Sequence, residues 1–147
     1  MRLMHCFALS FLLPLAIGTA QAVEFKSVGT ATVLYDTPSD KGRKLFVAPR
    51  GMPVEIVLTY GQWYKVRDVS GDLVWVPAKA LSAKRNVVTN AASARVRAAP
   101  DDGSQLVFTA DKGVVLELIE SLKSGWVRVR HQDGQTGYVR TSEVWGE

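Results

Sequence analysis

Cysteine is almost missing from this sequence. The 147 residues hold one, Cys6, so no disulfide can form within the chain. Histidine is nearly as scarce, with only His5 and His131. His131 has no Cys and no second His near it, whereas zinc takes three or four ligands, so no metal or other cofactor is expected. One His beyond the first few residues and no thiol leave no Ser-His-Asp relay and no cysteine nucleophile. Gly-rich phosphate loops are missing as well, and no spacing of carboxylates points to a paired acid and base. Charge of one sign is not in large excess: 18 Lys+Arg stand against 14 Asp+Glu, a net +4. The charges are evenly mixed, which argues weakly for an anionic cell surface and against nucleic acid. Long apolar runs end early, so a multi-span membrane protein is excluded. The hydrophobic share of 47% excludes wholesale disorder.

One apolar run does exist. Arg2 and His5 precede Cys6–Ile17, which is nearly all apolar, and Ala20-Gln21-Ala22 follows. A basic start, an apolar middle and small residues at the first and third places before the cut make a secretory signal peptide over residues 1–22, cleaved after Ala22. An uncleaved anchor is the alternative, since Leu3–Ala20 is about long enough to span a bilayer. Pro14 within the run would bend such a helix. Contact with the membrane is then transient, and the exported chain is periplasmic or secreted.

The remainder is one unit written twice. Gln62-Trp63-Tyr64-Lys65-Val66-Arg67 is echoed by Gly125-Trp126-Val127-Arg128-Val129-Arg130, sixty-three positions on. Gly71 and Gly134, Trp75-Val76 and Tyr138-Val139, and Leu81 and Val144 keep that spacing. Upstream the interval is one shorter: Pro38 with Pro100, Gly51 with Gly113, Glu55-Ile56 with Glu117-Leu118. The slip falls between Leu58 and Trp63, where a loop absorbs it. The units are residues 23–83 and 84–147, joined by the polar Ser82–Asn86, a link short enough to favour close packing of the two.

Each unit reads as short β-branched and aromatic runs broken by Gly, Pro, Asp and Ser, without sustained helical periodicity. The first has runs at 30–35, 44–48, 53–59, 63–67 and 72–77; the second at 94–97, 106–109, 114–120, 126–130 and 136–140. Val87-Val88-Thr89 and Phe25-Lys26-Ser27 look like answering edge strands. Five short strands in some sixty residues are too few for a sandwich and suggest a small barrel. The fold class is therefore all-β: two tandem five-stranded barrels behind a signal-peptide helix.

Several segments resemble a known family. Val33-Leu34-Tyr35-Asp36 is similar to the ALYDY segment of Src homology 3 (SH3) domains. Gly61–Arg67 resembles the strand in which two adjacent aromatics follow the n-Src loop, and Val74-Trp75-Val76-Pro77 the G-Y-[IV]-P segment. In the second unit, Arg95-Val96-Arg97-Ala98-Ala99-Pro100 resembles the N-V-R-x-x-P signature of bacterial SH3-like domains in exported proteins. Gly125–Val129 and Thr136-Gly137-Tyr138-Val139 complete that set. The resemblance covers nearly all of the chain after residue 22. It implies a non-enzymatic binding module, of a kind that serves elsewhere to target wall-degrading enzymes.

A site is sought on the tryptophan strands. Side chains alternate across a strand, so Tyr64 and Val66 face the core and Trp63, Lys65 and Arg67 face out. Val127 and Val129 likewise turn in, leaving Trp126, Arg128 and Arg130 outside. Five-residue turns at Asp68–Asp72 and His131–Gln135 set Trp63 opposite Pro77, Lys65 opposite Trp75, Trp126 opposite Arg140 and Arg128 opposite Tyr138. Tyr35, Trp63 and Pro77 then form an aromatic groove fit for an extended, proline-rich peptide, with Trp75, Trp126, Tyr138 and Arg140 as further ligand-binding candidates. The second unit departs from that groove: Arg97-Ala98 stands in place of Tyr35, and Arg140 in place of Pro77. Its arginines 95, 97, 128, 130 and 140 either gather on one face or disperse among the eight acids of that half; the mixed charge favours dispersal. The expected partner is a peptide, a peptidoglycan stem peptide or an envelope protein. The alternative is a structural or adaptor protein whose outward aromatics form the contact between units or with a partner.

Overall fold

The computed structural model describes residues 22–147. The signal-peptide helix expected over residues 1–22 lies, but for residue 22, outside the described residues. Among the described residues no helix is long and apolar enough to cross a membrane.

Two antiparallel sheets follow one another along the chain. The first holds β1 (Glu24–Val28), β2 (Thr32–Tyr35), β3 (Lys44–Ala48), β4 (Pro53–Tyr60), β5 (Trp63–Arg67), β6 (Leu73–Pro77) and β7 (Leu81–Ser82). The second holds β8 (Asn86–Thr89), β9 (Ser93–Arg97), β10 (Leu106–Asp111), β11 (Val115–Ser121), β12 (Trp126–Arg130), β13 (Thr136–Arg140) and β14 (Val144–Trp145). Their strand orders, β3-β2-β6-β5-β4-β1-β7 and β10-β9-β13-β12-β11-β8-β14, are the same order repeated. The all-β class and the duplication therefore stand, but five-stranded barrels do not. Each sheet has seven strands, and its two end strands are not hydrogen-bonded to each other, so it does not close. The extra strands come from chain entering and leaving each unit: β1 pairs with β4 on one side and β7 on the other. A two-residue strand such as β7 has no alternation to read in a sequence.

The pleat sorts the side chains as the alternation demands. Val54, Val66, Val74, Val76 and Leu34 make a core under the first sheet, with Tyr64 packed against it. Val96, Leu116, Val127, Val129 and Val139 do the same under the second. Each fully buried Val or Leu contributes about 1.5–3 kcal/mol of burial. The turns repeat as well. Asp68 N–H donates to Asp72 O and Gly71 N–H to Asp68 O; His131 and Gly134 make the same two bonds to Gln135 and His131. Gly71 and Gly134 have φ of 89° and 94°, a left-handed conformation in which glycine carries no Cβ penalty. The spacing slip also has its place. Gly61-Gln62 joins β4 to β5, whereas the longer 122–125 joins β11 to β12.

The two sheets meet through few residues. Asn86 Nδ2 donates to Gly51 O at 2.9 Å. Phe25 meets Trp145 edge-on with ring centroids 5.1 Å apart. The Arg85 guanidinium lies 5.7 Å over the Phe25 ring and donates to Gly146 O.

Candidate functional site: two grooves at equivalent positions

The outer face of the first sheet carries an aromatic strip. Trp63 lies opposite Pro77 in the β5–β6 ladder, and Lys65 opposite Trp75. Tyr35 pairs with Trp75 where β2 meets β6. That brings the Tyr35 and Trp63 rings edge-to-face, 5.5 Å apart at 88°. Tyr35, Trp63 and Pro77 line an open groove of about 870 Å³ together with Pro38, Ser39 and Asp40 of the β2–β3 loop, and with Lys79. Trp63, Tyr35 and Pro77 are half-buried, so each keeps an open face. The loop wall is held by Asp36, whose Oδ1 accepts from Arg43 N–H at 2.8 Å. Trp75 shares the strip but not the groove; it packs edge-on against Tyr60 at 6.2 Å, with Lys65 Nζ 5.9 Å from its ring.

The corresponding surface of the second sheet is different in kind. Trp126 lies opposite Arg140, as the turn arithmetic requires. Trp126 is nevertheless only 5% exposed, which corrects the expectation of an open indole there. It has not joined the core under the sheet. The Arg140 guanidinium covers it from outside, 4.7 Å from the ring. Arg140 is in turn held by Asp102, which accepts from Arg140 Nε at 3.0 Å and from the terminal guanidinium nitrogen as well. Arg95, Arg97, Asp102, Trp126, Arg140 and Glu143 line a pocket of about 270 Å³. The hydrogen bond from Arg140 is the main reason the Asp102 carboxyl lies below its ordinary value, and the charges of Arg140, Arg97 and Arg95 act in the same direction. Three of the five arginines thus converge rather than disperse. Arg130 instead reaches Glu117, and Arg128 pairs in register with Tyr138. Tyr138 lies outside the pocket lining.

His131 sits beside Phe108, with ring centroids 5.7 Å apart, and Asp133 lies within 3.0 Å of its Nδ1. Among the described residues no group of three His, Cys, Asp or Glu is placed to hold a metal.

The family model described as bacterial SH3 domain matches residues 28–83 and again residues 90–146. The chain belongs to the bacterial SH3 domain family. Among solved structures, it is similar to NlpC2 from Trichomonas vaginalis at 13% identity and a TM-score of 0.41, over 88% of this chain and 50% of that one. NlpC1 from Trichomonas vaginalis matches at 16% identity and 0.40, over 95% and 51%. An NlpC/P60 family protein from Bacillus cereus matches at 17% and 0.37, over 83% and 56%. The chain thus spans about half the length of each of these structures. A search of curated proteins gives no match.

In this bacterial SH3 domain pair, three of the residues singled out by sequence, Tyr35, Trp63 and Pro77, share one groove. Trp126 and Arg140 share another, and Trp75 and Tyr138 enter neither. Sequence reasoning passed over the Pro38–Asp40 wall, which a Pro-Ser-Asp turn signal beside Tyr35 could have suggested. It also passed over the contact of Phe25 with Trp145. Phe25 lies in β1 and Trp145 in the two-residue end strand β14, one hundred and twenty residues apart, and no local pattern joins them.

Proposed function

We propose that this bacterial SH3 domain pair is an exported, non-catalytic binding module of the cell envelope, and that the groove on the first sheet takes an extended peptide. A peptidoglycan stem peptide or a proline-rich segment of an envelope protein suits it. The observation that carries this reading is the edge-to-face Tyr35–Trp63 pair beside Pro77, open along one side. Flat rings spaced along a groove accept the flat faces of a preordered extended chain with little further loss of entropy. Asp40 and Lys79 in the lining offer one charge of each sign to the peptide's ends or side chains. The contact between the sheets, built from Phe25, Arg85 and Trp145, leaves the strip of Tyr35, Trp63 and Trp75 to other partners.

The test is a titration of the intact chain with proline-rich peptides and soluble peptidoglycan fragments, followed by tryptophan fluorescence and amide shifts. Shifts centred on Trp63 are expected. Trp63→Ala should weaken binding by about tenfold or more, the scale of a central aromatic anchor, while leaving the fold intact because the ring lies outside the core. No localised shift near Trp63 at millimolar ligand would overturn the reading.

A further inference from the structure

The second pocket has its own chemistry, independent of the first groove. Position by position the two sites correspond. Trp63 and Trp126 each begin the strand that follows the longest strand of its sheet, and Pro77 and Arg140 each face that Trp. Tyr35 and Arg97 each pair across to the following aromatic strand, with Trp75 and Tyr138. Asp40 and Asp102 each stand on the loop that forms the far wall. The duplicated scaffold has kept one indole as a floor and exchanged an apolar wall for guanidinium groups.

We propose that the pocket over Trp126 binds the free carboxylate of a peptide, seated between Arg95, Arg97 and Arg140, and that Asp102 occupies that seat when no ligand is present.

Three observations carry this. Arg95 and Arg97 alternate with the buried Ala94 and Val96, so both project from the outer face of β9. Arg140 reaches the same pocket from the end of β13. Like charges brought together on one sheet face repel, and Asp102 and Glu143 are the only acids lining the pocket against the three arginines. The three guanidinium groups nevertheless line one pocket with Trp126, and Arg140 lies over its ring. Second, the seat already has the shape of the ligand. Asp102 lies side-on across the Arg140 fork, taking one bond from Nε and one from a terminal nitrogen. That two-pronged geometry matches a planar carboxylate. Arg97 is aimed by donating to Ser104 O at 2.9 Å, in the same loop that carries Asp102. Third, the occupant is easily exchanged. Asp102 is 61% exposed and Arg140 44%, and an exposed ion pair is weak enough for an incoming carboxylate to displace. With Asp102 swung aside, the three arginines face Glu143 alone.

The experiment follows the Trp126 indole N–H and the Asp102 backbone amide by NMR in the intact chain. The probes are acetyl-Ala-Ala with a free carboxyl terminus, its terminal amide, and inorganic phosphate. The free acid should shift both resonances, and the amide should shift neither. Asp102→Asn removes the competing carboxylate and should tighten binding of the free acid about threefold, the scale of a lost exposed ion pair. Arg97→Gln and Arg140→Gln should abolish the response. Arg140→Lys, which keeps the charge without the fork, should weaken it while the Val127 and Val129 amides stay in place. An equal response to the amide or to phosphate, or unchanged affinity in Asp102→Asn, would overturn the proposal. The Trp63 indole resonance in the same spectra reports the first groove separately, so failure of either reading is visible without the other.

Discussion

Trp63 and Trp126 occupy the same place in a repeated strand, and their surroundings decide what each can do. Trp63 meets Tyr35 and Pro77, two flat groups that leave part of its face open. Trp126 meets a guanidinium that is held across it by a carboxylate from another loop. That carboxylate offers a direct test by pH. Its folded-state pKa is depressed from 3.8, first by the Arg140 hydrogen bond. A depressed carboxyl contributes stability that is present above the unfolded value and is lost as pH falls through the lower folded value. The Asp102 carboxyl carbon, titrated by NMR, should therefore show a midpoint below 3.8. Trp126 fluorescence should shift to longer wavelength over the same acid range as Arg140 loses its tie and the indole meets water.

At the scale of the element, the hairpins were the most legible part. Ser70-Gly71 and Asp133-Gly134 mark the turns, the alternation of Tyr64 and Val66 or of Val127 and Val129 marks the core face, and both are local properties of the chain. The register they imply, Trp63 with Pro77 and Trp126 with Arg140, is the register observed. One position in these hairpins carries a constraint of its own. Gly137 lies where β13 crosses β9, and a Cβ there would sit 2.6 Å from a Val96 methyl and 2.7 Å from Arg97 O. In the first sheet the same position is Val74, fully accommodated in the core. Gly137→Ala should cost about 1–3 kcal/mol, since the backbone oxygen cannot yield as a flexible side chain would. Chemical denaturation measures this, and a change below a few tenths would show that β9 can shift. The flanking strands β7 and β14 were not legible, because each has only two residues and exists through its partner.

The whole molecule is two small cores joined by a thin junction. Each unit of about sixty residues is near the lower limit for a stable independent fold, so the contact through Phe25, Arg85, Asn86 and Trp145 supports both. Phe25→Ala removes an edge-to-face pair of roughly 0.5–1.5 kcal/mol together with the ring beneath Arg85. Calorimetry should show one cooperative transition for the parent chain and a lower, broadened or divided one for the variant. Two separate transitions in the parent would mean that the units do not depend on each other.

By itself the sequence determined the β class, the duplication, the turn positions and the side of each strand that faces inward. These follow from glycine placement and a two-residue period, which act over a few neighbouring residues. The tertiary structure alone decided which outward residues form a site. Asp102 reaches Arg140 because the β9–β10 loop lies beside β13, and Arg95 and Arg97 converge with Arg140 because the strand order places β9 next to β13. Open sheets instead of barrels, and an indole covered rather than bare, have the same origin. They depend on contacts between segments far apart in the chain, where no local spacing records the distance.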